Sequence, residues 1–383
     1  MAKLKVITLS FCVDFHGDIT DVFFEQSSQG GMAASTLIQT IPALKALEQF
    51  EASNKVLSLH EFKTDDIKLY EKIDACFVGK LSANTESIMK RMTEAHIFLL
   101  SHLKPQGTKN IITYCDNHIE SENPTLRHLY KRIFELADIL VFPSKSLYKI
   151  ARKYIPSTSK TMVIHDHCQV RQNFNFCLAL TNNERWKLIW FGSKRNLNYL
   201  LNAHDRLISS SILKSQEHEL TIVASKDSIQ QLSKIFEKKI KLTPNWSCRL
   251  VSWDPMNQPE QLENELKRAH ISLIPSDPYD NKKAGVSHNR LVDSIRGGCI
   301  AIASPLDSYK DLKKICLLGN DFPLLLKYAT DNYHRLAAKY NSCRDTHLAE
   351  FSPDSIINSW KNLWELSFGN QSRSFEEYNQ NSS

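Results

Sequence analysis

Three stretches of the chain carry small residues suited to anion binding, two of them with cations where an apolar run ends. Phe191-Gly192-Ser193-Lys194-Arg195-Asn196 sets a glycine, a hydroxyl and two cations directly after such a run. At a strand-to-helix junction, main-chain N–H groups orient an anion and the cations neutralise it. The stretch Ser276-Asp277-Pro278-Tyr279-Asp280-Asn281-Lys282-Lys283-Ala284-Gly285-Val286 follows the run Ile271–Pro275 and leads into a helix-like segment, Ser287–Arg296. Ser287 is the expected N-cap, and Lys283, His288 and Arg290 add positive charge at a helix start that already attracts anions. Asp293, two turns on, would accept hydrogen bonds from sugar hydroxyls. The third stretch, Gln29-Gly30-Gly31-Met32, puts adjacent glycines before another helix-like segment, where a phosphate could approach the backbone closely. Neither GxGxxG nor GxxxxGK[ST] occurs, so the dinucleotide and P-loop fingerprints are missing.

Groups fit for proton transfer follow two other apolar runs: Asp14 and His16 after the first, and Asp116 and His118 after Asn110–Tyr114. Any of the four could serve as a base towards an acceptor hydroxyl. Lys80 in Val78-Gly79-Lys80 and the triplet His165-Asp166-His167 are further polar sites at run ends, the triplet suiting hinge hydrogen bonding as well as substrate contact. Metal chemistry finds little support. Only His165, His167 and Cys168 lie close together in sequence, and no Asp-x-Asp motif occurs. The nine cysteines are scattered with no CxxC pair, as expected of reduced thiols in a cytoplasmic protein.

The elements that must position these groups alternate. Short β-branched runs (Leu4–Leu9, Val56–Leu59, Ala75–Val78, Asn110–Tyr114, Ile139–Phe142 and Thr161–Ile164) are separated by amphipathic stretches, the first of them Ala33–Phe50. After a polar, Asn-rich lapse over 166–185 the alternation resumes, with runs at Lys187–Phe191, Leu220–Ala224, Cys248–Val251, Ile271–Pro275 and Cys299–Ala303. Repeated strand–helix–strand units predict parallel sheets covered by helices. So many units exceed one doubly wound sheet, and two α/β halves are expected. Trp360 and Trp364, spaced i, i+4 in the helix-like Pro353–Phe368, form one packing stripe.

Composition narrows the class. A hydrophobic fraction of 42% with 23% charged residues excludes whole-chain disorder, and no apolar run approaches the ~20 residues of a membrane-spanning helix. The formal charge of +6 suits anionic ligands or an acidic membrane surface, but is too dispersed for a nucleic-acid partner.

With these motifs in order, the chain resembles nucleotide-sugar glycosyltransferases of the GT-B fold, in particular the group 1 (GT4-like) branch. Ala269–Ala303 is similar to that family's donor-binding segment, and Ala137-Asp138-Ile139-Leu140-Val141-Phe142-Pro143-Ser144 to the strand ending its N-terminal domain. The branch carries two glutamates with seven residues between them: the second matches Asp293, and the first falls on Gly285, so that carboxylate is missing.

The resemblance implies an α/β fold of two Rossmann-like doubly wound domains facing each other across a cleft. These are an acceptor domain over 1–170, a donor domain over 171–350, a C-terminal helix over 351–369 that packs back across domains, and a disordered tail over 370–383. It implies a hexosyltransferase-like enzyme moving a sugar from a nucleoside-diphosphate donor, with UDP or GDP favoured, to a glycan or lipid-linked acceptor. No metal or separate cofactor is expected. The donor would meet Gly30, Gly31, Gly192, Lys194, Arg195, Trp253, Lys283, Ser287, Asn289, Arg290 and Asp293, with Trp253 stacking on the base. Family grounds imply retention of configuration, which the missing carboxylate at Gly285 opposes. A cytoplasmic location, with peripheral contact at the inner membrane face, goes with this reading. Its rivals are a GT-B epimerase or hydrolase and a catalytically decayed nucleotide-sugar-binding protein.

Overall fold

The apolar runs assemble into two separate parallel sheets. The computed structural model describes residues 4–9, 39–50, 52–57, 72–80, 86–170, 172–177, 185–240, 244–254 and 258–368. Two compact units divide the chain. The first comprises the described residues within Met1–His167, Gly285–Ser287 and Ser352–Ser383; the second comprises those within Cys168–Ala284 and His288–Phe351.

In the first unit, β1 (Lys5–Leu9), β2 (Ser53–Leu57), β3 (Ala75–Val78), β4 (Lys109–Thr113), β5 (Ile139–Phe142) and β6 (Lys160–Val163) lie in the order β2-β1-β3-β4-β5-β6, every pair parallel. Every residue of β3 and β5 is buried. A parallel sheet covered on both faces needs such continuous apolar strands. One face packs Leu99, Leu100, Tyr130, Ile133 and Phe134 of helices Glu86–Leu103 and Pro124–Leu136 against Val78, Ile112 and Phe142. Asn123 starts the second of these helices, its side chain accepting from Leu126 N at 2.9 Å ahead of Pro124. The other face is covered by helices Ile41–Leu47 and Pro353–Phe368. There the Trp360 and Trp364 rings meet Phe77 at 5.7 and 5.9 Å, and Trp364 Nε1 donates to Ala43 O at 2.8 Å. The i, i+4 stripe is therefore a core stripe. Of the expected helix Ala33–Phe50, the described part holds helix Ile41–Leu47 and a 3₁₀ turn over Glu48–Phe50; residues 33–38 lie outside the described residues.

In the second unit, β7 (Trp186–Phe191), β8 (His218–Ala224), β9 (Trp246–Ser252), β10 (Ile271–Ile274), β11 (Ile300–Ala303) and β12 (Leu317–Leu318) lie in the order β12-β11-β10-β7-β8-β9, again all parallel. This is the Rossmann order, with the winding reversing between β7 and β10. Two helices here, Phe322–Asp331 and Tyr333–Leu348, and the two-residue β12 were not signalled by periodicity. The first helix does carry a start signal: Asp321 accepts from Leu324 N at 3.2 Å, with Pro323 in the opening turn. Gly298, at φ +84°, closes the turn before β11, where a Cβ would lie 2.4 Å from Asn175 O. Phe174 and Asn175 of the Asn-rich stretch thus pack directly on that turn.

Candidate functional site

Ligands of open parallel sheets gather beyond the carboxyl ends of the strands at the switch of winding. In the second unit, this brings together the loops after β7 and β10, two of the stretches that the sequence marks as anion sites. Lys194 and Arg195 are exposed on a 3₁₀ turn over Lys194–Asn196 that runs into helix Leu197–Ser209. The loop after β10 forms its own 3₁₀ turn over Asn281–Lys283, capped by Asp280, whose Oδ1 accepts from Lys282 N at 2.8 Å. Across the switch, Lys283 Nζ donates to Asn196 Oδ1 at 2.6 Å and lies 5.3 Å from the centre of the Tyr199 ring. Tyr199 OH in turn donates to Asp280 Oδ2. Burial raises the Tyr199 phenol to about 12, aided by the Asp280 carboxylate, so it remains a donor.

Helix Asn289–Arg296 follows, and its first turn differs from expectation. His288, not Ser287, occupies the N-cap, and its side chain makes no cap hydrogen bond. The His288 ring is buried, with Nε2 3.3 Å from Asp311 Oδ2 and the ring centre 4.9 Å from Phe351. Asn289 and Arg290 are half-buried in the opening turn. Arg290 lies close enough to Tyr199 for its charge to act on the phenol, and its Nη1 is buried without a hydrogen-bond partner among the described residues. A buried guanidinium donor left unmatched costs more than about 1–3 kcal/mol.

Asp293 faces inwards. It is 1% exposed, and its Oδ1 accepts from the main-chain N–H groups of Gln169 and Val170 at 2.9 and 3.0 Å. Burial pushes its carboxyl up to about 7 against the pull of those two amides. One oxygen of the carboxylate that the sequence offers to sugar hydroxyls thus anchors the start of the second unit. Trp253, after edge strand β9, is half-buried against the core around Val251 and Leu262, and its Nε1 donates to Gln258 O at 3.1 Å. Gly192 lies directly after β7, where an added Cβ would meet the Trp190 ring at 3.2 Å.

In the first unit, the groups after β3, β4 and β6 form a polar cluster. Lys80 pairs with Asp116, and His118 Nε2 lies 3.6 Å from Asp116 Oδ2 with its ring stacked on Tyr130. Next to them, Gln39 bridges two buried groups: its Nε2 donates to Asp166 Oδ1 at 2.6 Å, and its Oε1 accepts from the Cys115 thiol at 2.6 Å. Burial pushes Asp166 up to about 6, against hydrogen bonds from Gln39 and Ser287. Ser287 thus belongs to the first unit, bonded to Asp166. Gly285 does too: at φ +76° a Cβ there would lie 2.6 Å from Leu147 Cα, and its carbonyl accepts from Ser144 Oγ at 2.7 Å. Asp14, His16, Gly30 and Gly31 lie outside the described residues. Among the described residues, no three His, Cys, Asp or Glu side chains converge as metal ligands, and no helix is long and apolar enough to cross a membrane.

No protein family matches the chain by sequence, and no curated protein does. Solved structures match it by shape. HepE from Anabaena, solved with UDP and glucose, superposes with a TM-score of 0.62 at 9% identity, covering 94% of this chain and 99% of its own. A glycosyltransferase from Rickettsia africae gives 0.60 at 11% identity, covering 97% and 100%. Sucrose-phosphate synthase from Thermosynechococcus elongatus gives 0.58 at 12% identity, covering 96% and 100%. The chain has the GT-B fold of these proteins, two Rossmann-like α/β domains with a parallel six-stranded sheet in each.

Proposed function

We propose that the chain is a glycosyltransferase that moves a sugar from a nucleoside-diphosphate sugar, UDP- or GDP-linked, to a glycan or lipid-linked acceptor. One observation carries the reading: the winding of the second sheet reverses where two cation-bearing loops meet, with Lys283 already bonded to Asn196. HepE, of the same fold, is solved with UDP and glucose. Transfer breaks the bond between the anomeric carbon and the diphosphate oxygen and forms one from that carbon to an acceptor oxygen, whose proton is lost. Charge builds on the departing diphosphate, and fixed cations and N–H groups stabilise it without reorganising.

In this reading Lys194, Arg195, Lys283 and Arg290 hold the diphosphate, with Gly192 and Asn289 lining its loops and Trp253 beside the base. Gly30 and Gly31 belong to the same donor set. The chemistry runs on these basic groups without a metal. On the first unit, the Lys80–Asp116–His118 cluster sits at the carboxyl edge of the sheet and supplies the proton acceptor, with Asp14 and His16 as its neighbours in role. A cytoplasmic location and peripheral membrane contact accompany a lipid-linked acceptor.

The test is thermal shift of the full chain against UDP-, GDP-, CMP- and dTDP-sugars, followed by transfer assays with the sugar that binds. A ligand that binds only the native state raises its Tm by mass action. A rise with one donor, and turnover that needs an acceptor, supports transfer. Donor consumption without an acceptor points to an epimerase or hydrolase, and binding without turnover to a decayed site. No shift with any of the four removes the donor reading.

A further inference from the structure

We propose that Asn196, Tyr199 and Asp280 are positioning residues that hold the Lys283 ammonium for the diphosphate before a donor arrives. The inference rests on the donor reading and goes further, because it concerns groups that need not touch the ligand.

Four side chains, from the two loops and the helix that follows the first, form a connected set of contacts. Lys283 Nζ donates to Asn196 Oδ1 at 2.6 Å, across 87 positions of sequence. Asn196 ends the turn after β7 and adjoins helix Leu197–Ser209, so its place is set by regular structure. One turn along that helix, Tyr199 faces the ammonium with its ring and donates a hydrogen bond from its hydroxyl to Asp280. Asp280 caps the 3₁₀ turn that carries Lys283 itself, its other carboxylate oxygen accepting from Lys282 N.

Lysine is a flexible point charge with a strong shell of water. An unrestrained lysine would have to be ordered when the ligand binds, and that entropy opposes affinity. Here the amide oxygen and the ring face define its position beforehand. Burial disfavours the Asp280 carboxylate, yet the Tyr199 hydroxyl, the Lys282 N–H and the two lysine charges hold it below its usual range. It therefore stays charged at neutral pH and keeps Tyr199 in place.

The experiment is calorimetric titration of the full chain with UDP and with uridine, repeated with GDP and guanosine, and with dTDP. Lys283→Ala is expected to weaken diphosphate binding roughly 10–100-fold, and Tyr199→Phe and Asn196→Ala roughly 2–10-fold each. Affinity for the bare nucleoside should not change, nor should Tm by more than a few degrees. The decisive readout is the double variant Tyr199→Phe/Lys283→Ala. A residue acting through Lys283 adds nothing once the ammonium is gone, so the double variant should bind like Lys283→Ala alone. Additive losses, or equal losses for nucleoside and diphosphate, would overturn the inference while leaving the donor reading intact. A wild-type chain that binds none of UDP, GDP and dTDP overturns both.

Discussion

The α-carbon of Gly285 packs so closely on Leu147 that a Cβ on it would stand 2.6 Å from the Leu147 α-carbon and 2.8 Å from its amide nitrogen. Backbone cannot yield as a side-chain tip does, and the residue also sits at φ +76°, where L side chains are strained. Gly285→Ala should therefore destabilise the chain by about 2–5 kcal/mol, strain and overpacking together. Gly285→Glu should be worse and should not raise turnover. Thermal melts of both variants check this. A Gly285→Glu chain with wild-type Tm would show that the missing carboxylate could be restored at no cost.

Asp293 links stability to pH. Its folded-state carboxyl is raised to about 7 by burial, against an ordinary value near 4, so the folded chain binds the extra proton. The stability that it contributes is full below about pH 4 and is lost as pH rises through 7, at up to about 1.4 kcal/mol per pH unit. Asp293→Asn keeps an oxygen for the amides of Gln169 and Val170 but cannot titrate. Denaturant midpoints at pH 4.5, 6 and 7.5 should fall less steeply for the variant than for the wild type. Parallel slopes would refute the linkage.

Trp364 is fully buried, stacks on Phe368 at 5.7 Å and meets Phe77. Trp364→Ala should cost about 3–5 kcal/mol, read as a lowered denaturant midpoint. Trp364→Phe keeps the ring but leaves Ala43 O without its donor, so it should lose an intermediate amount.

Asp116 and His118 separate chemistry from binding. If this pair takes the acceptor proton, Asp116→Asn should lower kcat by about 10²–10⁴-fold with little change in donor affinity. His118→Ala should show a smaller loss, since its contact with Asp116 is longer, at 3.6 Å. Steady-state kinetics at saturating donor distinguish this from a binding defect, which would raise the donor KM alone.

Most strands were legible because a buried parallel strand is apolar at every position: Ala75–Val78 and Ile139–Phe142 were read from the sequence to the residue. Strand β12 was not, since two leucines carry no period. The cation loops were visible as glycine, hydroxyl and lysine at the ends of runs, but the partners of Lys283 were not. Nothing local to Tyr199 indicates an acceptor 81 residues away, or to Gln39 one 127 away. The partners of Asp293 and Ser287 are hidden from the sequence for a related reason. Helix spacing fixes the face on which a residue lies, not whether that face meets ligand, main chain or core. Here Asp293 met the amides of 169 and 170, and Ser287 met Asp166.

Helix Pro353–Phe368 covers one face of the sheet that contains β1. During synthesis at about 5–20 residues per second, the part of that sheet face that the tryptophans cover, around Phe77, therefore waits on the order of ten seconds or more while the whole second unit is made. The nascent first unit is an incomplete, adhesive intermediate for that interval. Shortening the chain from its far end would consequently harm its beginning, and output of such truncations should depend on chaperone supply more than full-length output does.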